Sequence, residues 1–215
     1  MNDPKKTIRA FLLDRGISVT GFGTVPDRTE VPELDMSFPR AIVFGFVLSR
    51  AVLDTIQNRP TLIYKHHYKT VNWILDQTAC HVVRFLEEQN IRAVAIPASQ
   101  VINWDKRKGH ISHSILGNKA GLGHIGRSGL LVHPRHGAHV RYVSILTDLE
   151  FTPDDRVERS CGDCRACIAA CPAQAITENG VVIPKCFAKL NDFASIRGIG
   201  QHICGVCVKV CHGTN

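Results

Sequence analysis

Eight of the nine cysteines lie in the last 55 residues. The first four are spaced Cys161-x2-Cys164-x2-Cys167-x3-Cys171-Pro172. That run wraps a [4Fe–4S] cubane: three close thiolates reach three irons of one cube, and the fourth, set off by a helical turn and a proline, turns toward another. A second cube needs ligands further on, and Cys204-x2-Cys207-x3-Cys211 supplies three. The first run's spacing, counted back from Cys211, asks for a cysteine at position 201, where the chain has Gln201; Cys186 is the free cysteine that can replace it. The expected partition is Cys161, Cys164 and Cys167 with Cys211, and Cys171 with Cys186, Cys204 and Cys207. Two zinc sites built from paired Cys-x2-Cys hooks are the alternative. Zinc explains neither the third cysteine of the first run nor its Cys-Pro ending.

A second pattern is Gly121-Leu122-Gly123-His124-Ile125-Gly126, followed by Arg127. A dinucleotide site would place a strand before such a loop and a helix after it. Here the flanks read the other way round, with a helix over residues 111–119 and a strand over 129–132. Glycines at this spacing let backbone approach something flat or bulky, or let a helix end pack tightly on a strand. Six of the eleven histidines (His110, His113, His124, His133, His136, His139) fall within 30 residues, interleaved with Lys106, Arg107, Lys108, Lys119, Arg127, Arg135 and Arg141. Such a stretch favours an anionic partner (a cofactor phosphate, a nucleotide, RNA or an acidic protein) or else forms a solvated basic surface. His113, His110 and Asp105 are candidates for proton delivery, histidine being suited to it near neutral pH. Tyr64, His66, His67 and Tyr68 could line the same pocket, or simply begin a helix.

The elements that must position these residues alternate between helix and strand. Residues 4–15 read as a short amphipathic helix, 17–23 as a strand and 41–48 as a buried strand. A long helix covers about 61–89, with apolar residues recurring at three and four. Residues 91–96, 129–132 and 139–147 read as strands, the last two as a hairpin across 134–137. The expected fold is an α/β (α+β) sheet domain with flanking helices over residues 1–150. A polar connector over 151–158 then leads into a small cysteine-rich domain, 151–215. The chain's 215 residues can bury a proper core, and its 44% hydrophobic and 21% charged composition is that of a soluble protein. The formal charge of +7 is concentrated in the first 150 residues. No run of about 18 apolar residues and no export signal is visible, so no membrane association is expected. The thiols are expected in a reducing cytoplasm, where clustered cysteines mean metal. Cys80, alone at 78–82, reads as a buried helix residue.

The Ala-Gly-Leu-Gly-x-Ile-Gly-Arg segment (Ala120 to Arg127), the apolar strand Leu130 to Val132, the segment Ser144 to Asp148 and the eight clustered cysteines together resemble the epoxyqueuosine reductase family. That family looks like the cores of reductive dehalogenases. The resemblance covers roughly residues 90–215. It implies a bacterial-ferredoxin-like domain with two [4Fe–4S] clusters, which pass low-potential electrons to a cobalamin held over the glycine loop by Gly121, Leu122, Gly123, His124, Ile125, Gly126 and Arg127. It further implies removal of an epoxide oxygen from a modified base in tRNA. Departures are plain: His124 stands for the family's tryptophan and Arg127 for its lysine. Arg107 falls where the proton-donating aspartate is expected, with His113 where a glutamate would be. The reading is an iron–sulfur oxidoreductase fed by a donor such as ferredoxin or flavodoxin, acting on a small molecule or modified nucleoside through a corrinoid. The alternatives are a non-catalytic electron-transfer or corrinoid-activating protein, and a reductase whose sheet domain holds FMN or no organic cofactor.

Overall fold

A computed structural model describes residues 3–26, 38–103 and 109–213. The chain divides into two compact units, each assembled from separate segments. Unit 1 comprises Met1–Phe46, Asn72–Leu122 and Arg141–Val157; unit 2 comprises Val47–Val71, Gly123–Val140 and Glu158–Asn215.

Unit 1 is built on a four-stranded sheet of β1 (Val19–Thr24), β2 (Arg40–Val47), β3 (Ala93–Ile96) and β6 (Val140–Thr147), in the order β1-β2-β6-β3. β1 pairs antiparallel with β2, Phe22 opposite Ile42, and β3 antiparallel with β6, Val94 opposite Leu146. The central position of β2 follows from its composition. Ala41, Ile42, Val43 and Phe44 are all fully buried, as a continuous apolar run requires when both faces of a strand are covered. Helix α1 (Pro4–Leu13) starts at a proline and is capped by Asp3, which accepts from the Lys5 amide at 3.0 Å. Helix α4 (His113–Lys119) ends against β1, where Gly21 and Gly23 have no side chain: a Cβ on Gly23 would lie 2.8 Å from the Ala120 nitrogen.

The segment read as a polar connector is anchored to this sheet. Phe151 packs edge-on to Phe22 at 5.1 Å between ring centroids. Asp154 accepts from the Phe22 amide (3.0 Å) and from Arg9 (2.6 Å), and pairs with Lys5 (2.5 Å). Both cations also lie over the Phe22 ring. One carboxylate thus ties α1, β1 and the segment after β6 together.

Unit 2 contains α2 (Arg50–Asp54), two short antiparallel pairs and three helices. The pairs are β4 (His124–Ile125) with β5 (Leu131–Val132), and β7 (Ile176–Thr177) with β8 (Gly180–Val181). The helices are α5 (Ala166–Ala170), α6 (Ile183–Ser195) and α7 (Val206–Lys209). Helix α3 (Leu62–Glu87) supplies residues to both units.

Two expectations need correction. The strand over 129–132 forms no hairpin with 139–147: β5 pairs with β4, while β6 lies between β2 and β3. The residues between them close a tight loop at the His133–Gly137 bridge instead. Cys80 is exposed, because it falls on the outer stripe of α3 with Leu62, His66, Lys69, Trp73 and Gln77. Its neighbours Ala79 and Val82 face the core instead. Asp105 and Arg107 lie outside the described residues. Among the described residues no helix is long and apolar enough to cross a membrane.

Asp154→Ala leaves the Phe22 amide without its partner and should cost about 1–3 kcal/mol of stability. Chemical denaturation should show that loss, and an unchanged midpoint would mean the carboxylate network contributes nothing to the fold.

Candidate functional site

The cysteine-rich end of unit 2 buries Ala175, Ile176, Ile199, Ile203 and Val206, and within α6 only Phe193 is buried. What organises it is the placement of its thiols. Cys161 and Cys164 form a tight turn closed by the Cys164 amide donating to the Cys161 carbonyl at 3.0 Å. Helix α5 then carries Cys167 and ends at Cys171, whose backbone is extended at φ −66°, ψ 113°. Pro172 demands that geometry, because the α conformation is disfavoured before a proline. The fourth thiol therefore leaves the line of the first three, and its sulfur accepts from the Ala175 amide at 3.4 Å.

One cavity is lined by Cys161, Cys164, Cys167 and Cys211, together with His124, Gly126 and Arg127. Burial, together with Cys161, Cys211 and Cys164, pushes the Cys167 thiol up. Burial and the thiols of Cys161 and Cys164 raise Cys211, against the amides of Gly213 and Ala138. A second group is formed by Cys171, Cys186, Cys204 and Cys207. Burial lifts Cys204 to about 11, with Cys186 and Cys171 adding to it. Cys207 reaches about 12 through burial and the nearby Cys204, Cys186 and Cys171, with Cys167 a smaller contributor. Buried thiols shifted in this direction resist ionising unless a cationic group sits beside them. Among the described residues no three His, Cys, Asp or Glu side chains converge on one point, as the ligands of a single ion must.

Cys211 is seated by the histidine-rich loop. The Ala138 amide donates to the Cys211 carbonyl at 3.1 Å, and a Cβ on Gly137 would strike that same oxygen. Lys209 donates from Nζ to the Ile56 carbonyl (2.5 Å) and the Asp54 carbonyl (3.4 Å), tying α7 to the end of α2. His139 Nε2–H donates to the Lys209 carbonyl at 3.0 Å.

The glycine loop has a partner, and it is the protein itself. Gly123 has φ +153°, and a Cβ there would run into the Val132 carbonyl oxygen on the facing strand. A Cβ on Gly126 would lie 2.8 Å from Val132 Cγ2 and 3.4 Å from Cys161 Sγ, while one on Gly121 would meet the Asp155 carbonyl. The close approaches that glycine permits are thus all filled. Arg127 donates to the carbonyls of Gly162 (2.9 Å) and Cys164 (3.0 Å) and pairs with Glu178 at 2.9 Å. Glu178 also accepts from Arg165. Arg127 therefore holds the Cys161–Cys164 turn, and Glu178 and Arg165 are partners that spacing alone did not reveal. Leu122 is buried and Ile125 is 44% exposed. His124 is 5% exposed, with Nε2 3.8 Å from Cys161 Sγ.

Of the proton-delivery candidates, His113 has both ring nitrogens engaged in unit 1. Nε2–H donates to the Pro97 carbonyl at 2.9 Å, so Nδ1 accepts from the Ser144 hydroxyl at 2.8 Å. Burial, aided by Arg141, pushes its pKa down to about 4. His113 is therefore neutral at pH 7 and serves the turn after β3. That turn is also held by Asp76, which accepts from the Ala98 amide, and by Arg141, which donates to the Ala98 carbonyl. His110 is half-buried just before α4. Other members of the basic stretch are likewise used internally: His133 Nδ1 accepts from the amides of Arg135 and His136. His67 accepts from the Ser49 amide and Tyr64 is buried. The polar start of α3 is thus structural.

No family model matches the chain. In sequence it is similar to epoxyqueuosine reductase of Staphylococcus aureus, 32% identical over 112 residues covering 48% of this chain and 30% of that protein. It is also similar to tetrachloroethene reductive dehalogenase of Sulfurospirillum multivorans, 26% identical over 185 residues covering 79% of this chain and 34% of that one. The fold is shared with a reductive dehalogenase studied for B12-dependent dehalogenation (TM-score 0.77, 17% identity, 98% of this chain and 32% of the other). It is also shared with an epoxyqueuosine reductase solved with an epoxyqueuosine-modified tRNA-Tyr stem loop (TM-score 0.66, 18% identity, 96% and 64%). The chain spans about 30% of the length of the curated epoxyqueuosine reductases it matches. The resemblance read in the sequence holds in both comparisons.

Two outcomes follow from this geometry. The unfolded chain titrates His113 near 6.5 and the folded one near 4, so the unfolded state binds more protons between those values and stability falls as pH drops through that window. His113→Gln should show a smaller fall in Tm between pH 7 and pH 5 than the parent; an equal fall would assign the effect elsewhere, His133 being also near 4. Gly123→Val should lower Tm by about 2–8 °C even with no organic cofactor present, from backbone strain and collision with Val132. A variant that melts like the parent would return the loop to a ligand-facing role.

Proposed function

We propose that this chain is an iron–sulfur oxidoreductase that relays low-potential electrons through two [4Fe–4S] clusters in a ferredoxin-like region, as part of a reductase resembling the epoxyqueuosine reductases. The observation that carries the reading is the cavity where Cys161, Cys164 and Cys167 meet Cys211, some fifty residues away in sequence. It matches the crossed ligation of a two-cubane run, and the second group of Cys171, Cys186, Cys204 and Cys207 completes the set.

The donor chemistry fits: of eight thiols in two sets, seven are partly buried and Cys164 is exposed, and the buried ones whose ionisation is suppressed (Cys167, Cys186, Cys204, Cys207 and Cys211) suit cationic iron. Bound clusters would supply one-electron storage and transfer. The chain's own residues do the rest. Arg127 fixes the Cys161–Cys164 turn through two carbonyls and Glu178, and the Cys171-Pro172 geometry separates the two sets. The loop Gly123–Gly126 passes close to Cys161, a Cβ on Gly126 lying 3.4 Å from its sulfur.

The similarity to a dehalogenase studied for B12-dependent chemistry supports a corrinoid as electron acceptor. The loop residues Gly121 to Arg127 do not fit the cradle expected for it, since the glycine approaches are filled by Val132, Asp155 and Cys161 and the Arg127 side chain is committed. We assign this loop to the first cluster and none of its residues to a corrinoid. Proton delivery is assigned to Asp105 and His110, His113 being held neutral in the sheet. A modified nucleoside is the substrate class supported by the tRNA-bound relative; ferredoxin or flavodoxin in the cytoplasm is the proposed donor.

Anaerobic protein should contain about eight iron and eight sulfide per chain. Cys186→Ala should remove about half of the iron and leave one cluster's electron paramagnetic resonance signal, while Cys80→Ala should retain all of it. Bound zinc, or iron lost from Cys80→Ala but not from Cys186→Ala, would overturn the assignment. The visible spectrum of the same sample separates a corrinoid or a flavin from cluster absorbance alone.

A further inference from the structure

We infer that His124 donates a hydrogen bond from Nε2–H to the Cys161 sulfur and so raises the reduction potential of the cluster held by Cys161, Cys164, Cys167 and Cys211. The inference rests on the cluster reading above and adds to it a residue that tunes one cluster and not the other.

The geometry is specific. His124 lies in the wall of the cavity that these four cysteines line, 5% exposed, with Nε2 3.8 Å from Cys161 Sγ, within hydrogen-bonding reach of sulfur. Its backbone is placed by strand pairing. His124 pairs with Val132 across β4 and β5, and that pairing is possible at this depth because Gly123 has no side chain to meet the Val132 carbonyl.

The tautomer follows from the partner. A metal-bound thiolate carries no proton, so it can only accept, and Nε2 must bear the hydrogen. Nδ1 is then an acceptor, and it is buried with no hydrogen-bond partner. Leaving a buried polar atom unmatched is costly, and such exceptions gather where a side chain is held for a purpose other than stability. The purpose the cavity offers is the sulfur.

A hydrogen bond to a cluster sulfur draws charge away from the iron and favours the reduced, more negative state. In the second set Cys171 receives a backbone amide, that of Ala175. The first set has a side-chain donor as well, placed so that it acts on one cluster alone. His124 is thus a positioning and tuning residue, and electrons should rest preferentially on the first cluster.

The test uses the full chain, purified anaerobically, with His124→Phe (ring retained, donor lost) and His124→Gln (a donor retained). Potentiometric titration followed by electron paramagnetic resonance should show one of two midpoint potentials moved to a more negative value in His124→Phe, the other unmoved, and iron still at about eight per chain. His124→Gln should recover part of the shift. Pulsed resonance on reduced wild type labelled with 15N-histidine should show a nitrogen coupling that His124→Phe lacks. Two unmoved potentials at full iron content overturn the inference and leave the cluster reading standing. If His124→Phe loses iron, the 15N coupling in wild type decides: present, it supports the hydrogen bond; absent, it overturns it. Wild type without two cubes overturns the cluster reading and this inference with it.

Discussion

The constraint on which the cysteine-rich unit depends is the burial of neighbouring thiols whose ionised forms would repel one another. Burial, with Cys204, Cys186 and Cys171 beside it, holds Cys207 at about 12, and burial with Cys186 and Cys171 holds Cys204 at about 11, so both are protonated at neutral pH. Such sulfurs ionise together only when a cation is placed among them. The unit also buries apolar side chains, Ile56, Val132, Ile176, Ile199 and Val206 among them. On the cluster reading proposed above, bound metal would add the stabilisation that its thiols by themselves lack.

Around that constraint the chain places polar clamps. Arg127 spans two carbonyls of the first cysteine turn, Lys209 spans two carbonyls at the end of α2, and His139 caps the Lys209 carbonyl. The Arg127 clamp acts on the backbone of the first cysteine turn, and the other two hold α7, which carries Cys207, to the end of α2 and to the histidine-rich loop. Unit 1 is stabilised differently. Its sheet buries Phe22, Ile42, Phe44 and Ile145 completely, and its charged residues converge on Asp154 at the margin.

Much of this was legible in the sequence because local spacing encodes it. The x2-x2-x3-Pro run dictates a turn, a helical turn and an extended exit, and the substitution of Cys186 for a cysteine at 201 follows from counting. The strands β2 and β6 and helix α3 were visible in their periodicity. What stayed hidden was the identity of partners distant in the chain. The glycines announced a close approach, but nothing local said that Val132, Asp155 and Cys161 are what they approach. The histidines announced a basic patch, yet His113, His124, His133 and His139 each meet an internal partner at long or turn-range separation. Cys80 was misplaced for a related reason: in a helix with apolar neighbours on both sides, a small side chain carries no phase of its own.

The crossed grouping of the cysteines also bears on how the unit is put together. Closing the stretch between Cys161 and Cys211 costs loop entropy that grows only slowly with length. The closure that delivers Cys211 to the first set carries α7 with it, and so brings Cys204 and Cys207 toward Cys171 and Cys186. The entropic cost of assembling the second site is largely met when the first is filled. On the cluster reading, metal loading of this unit would be cooperative, with the first cube difficult to install and the second following readily.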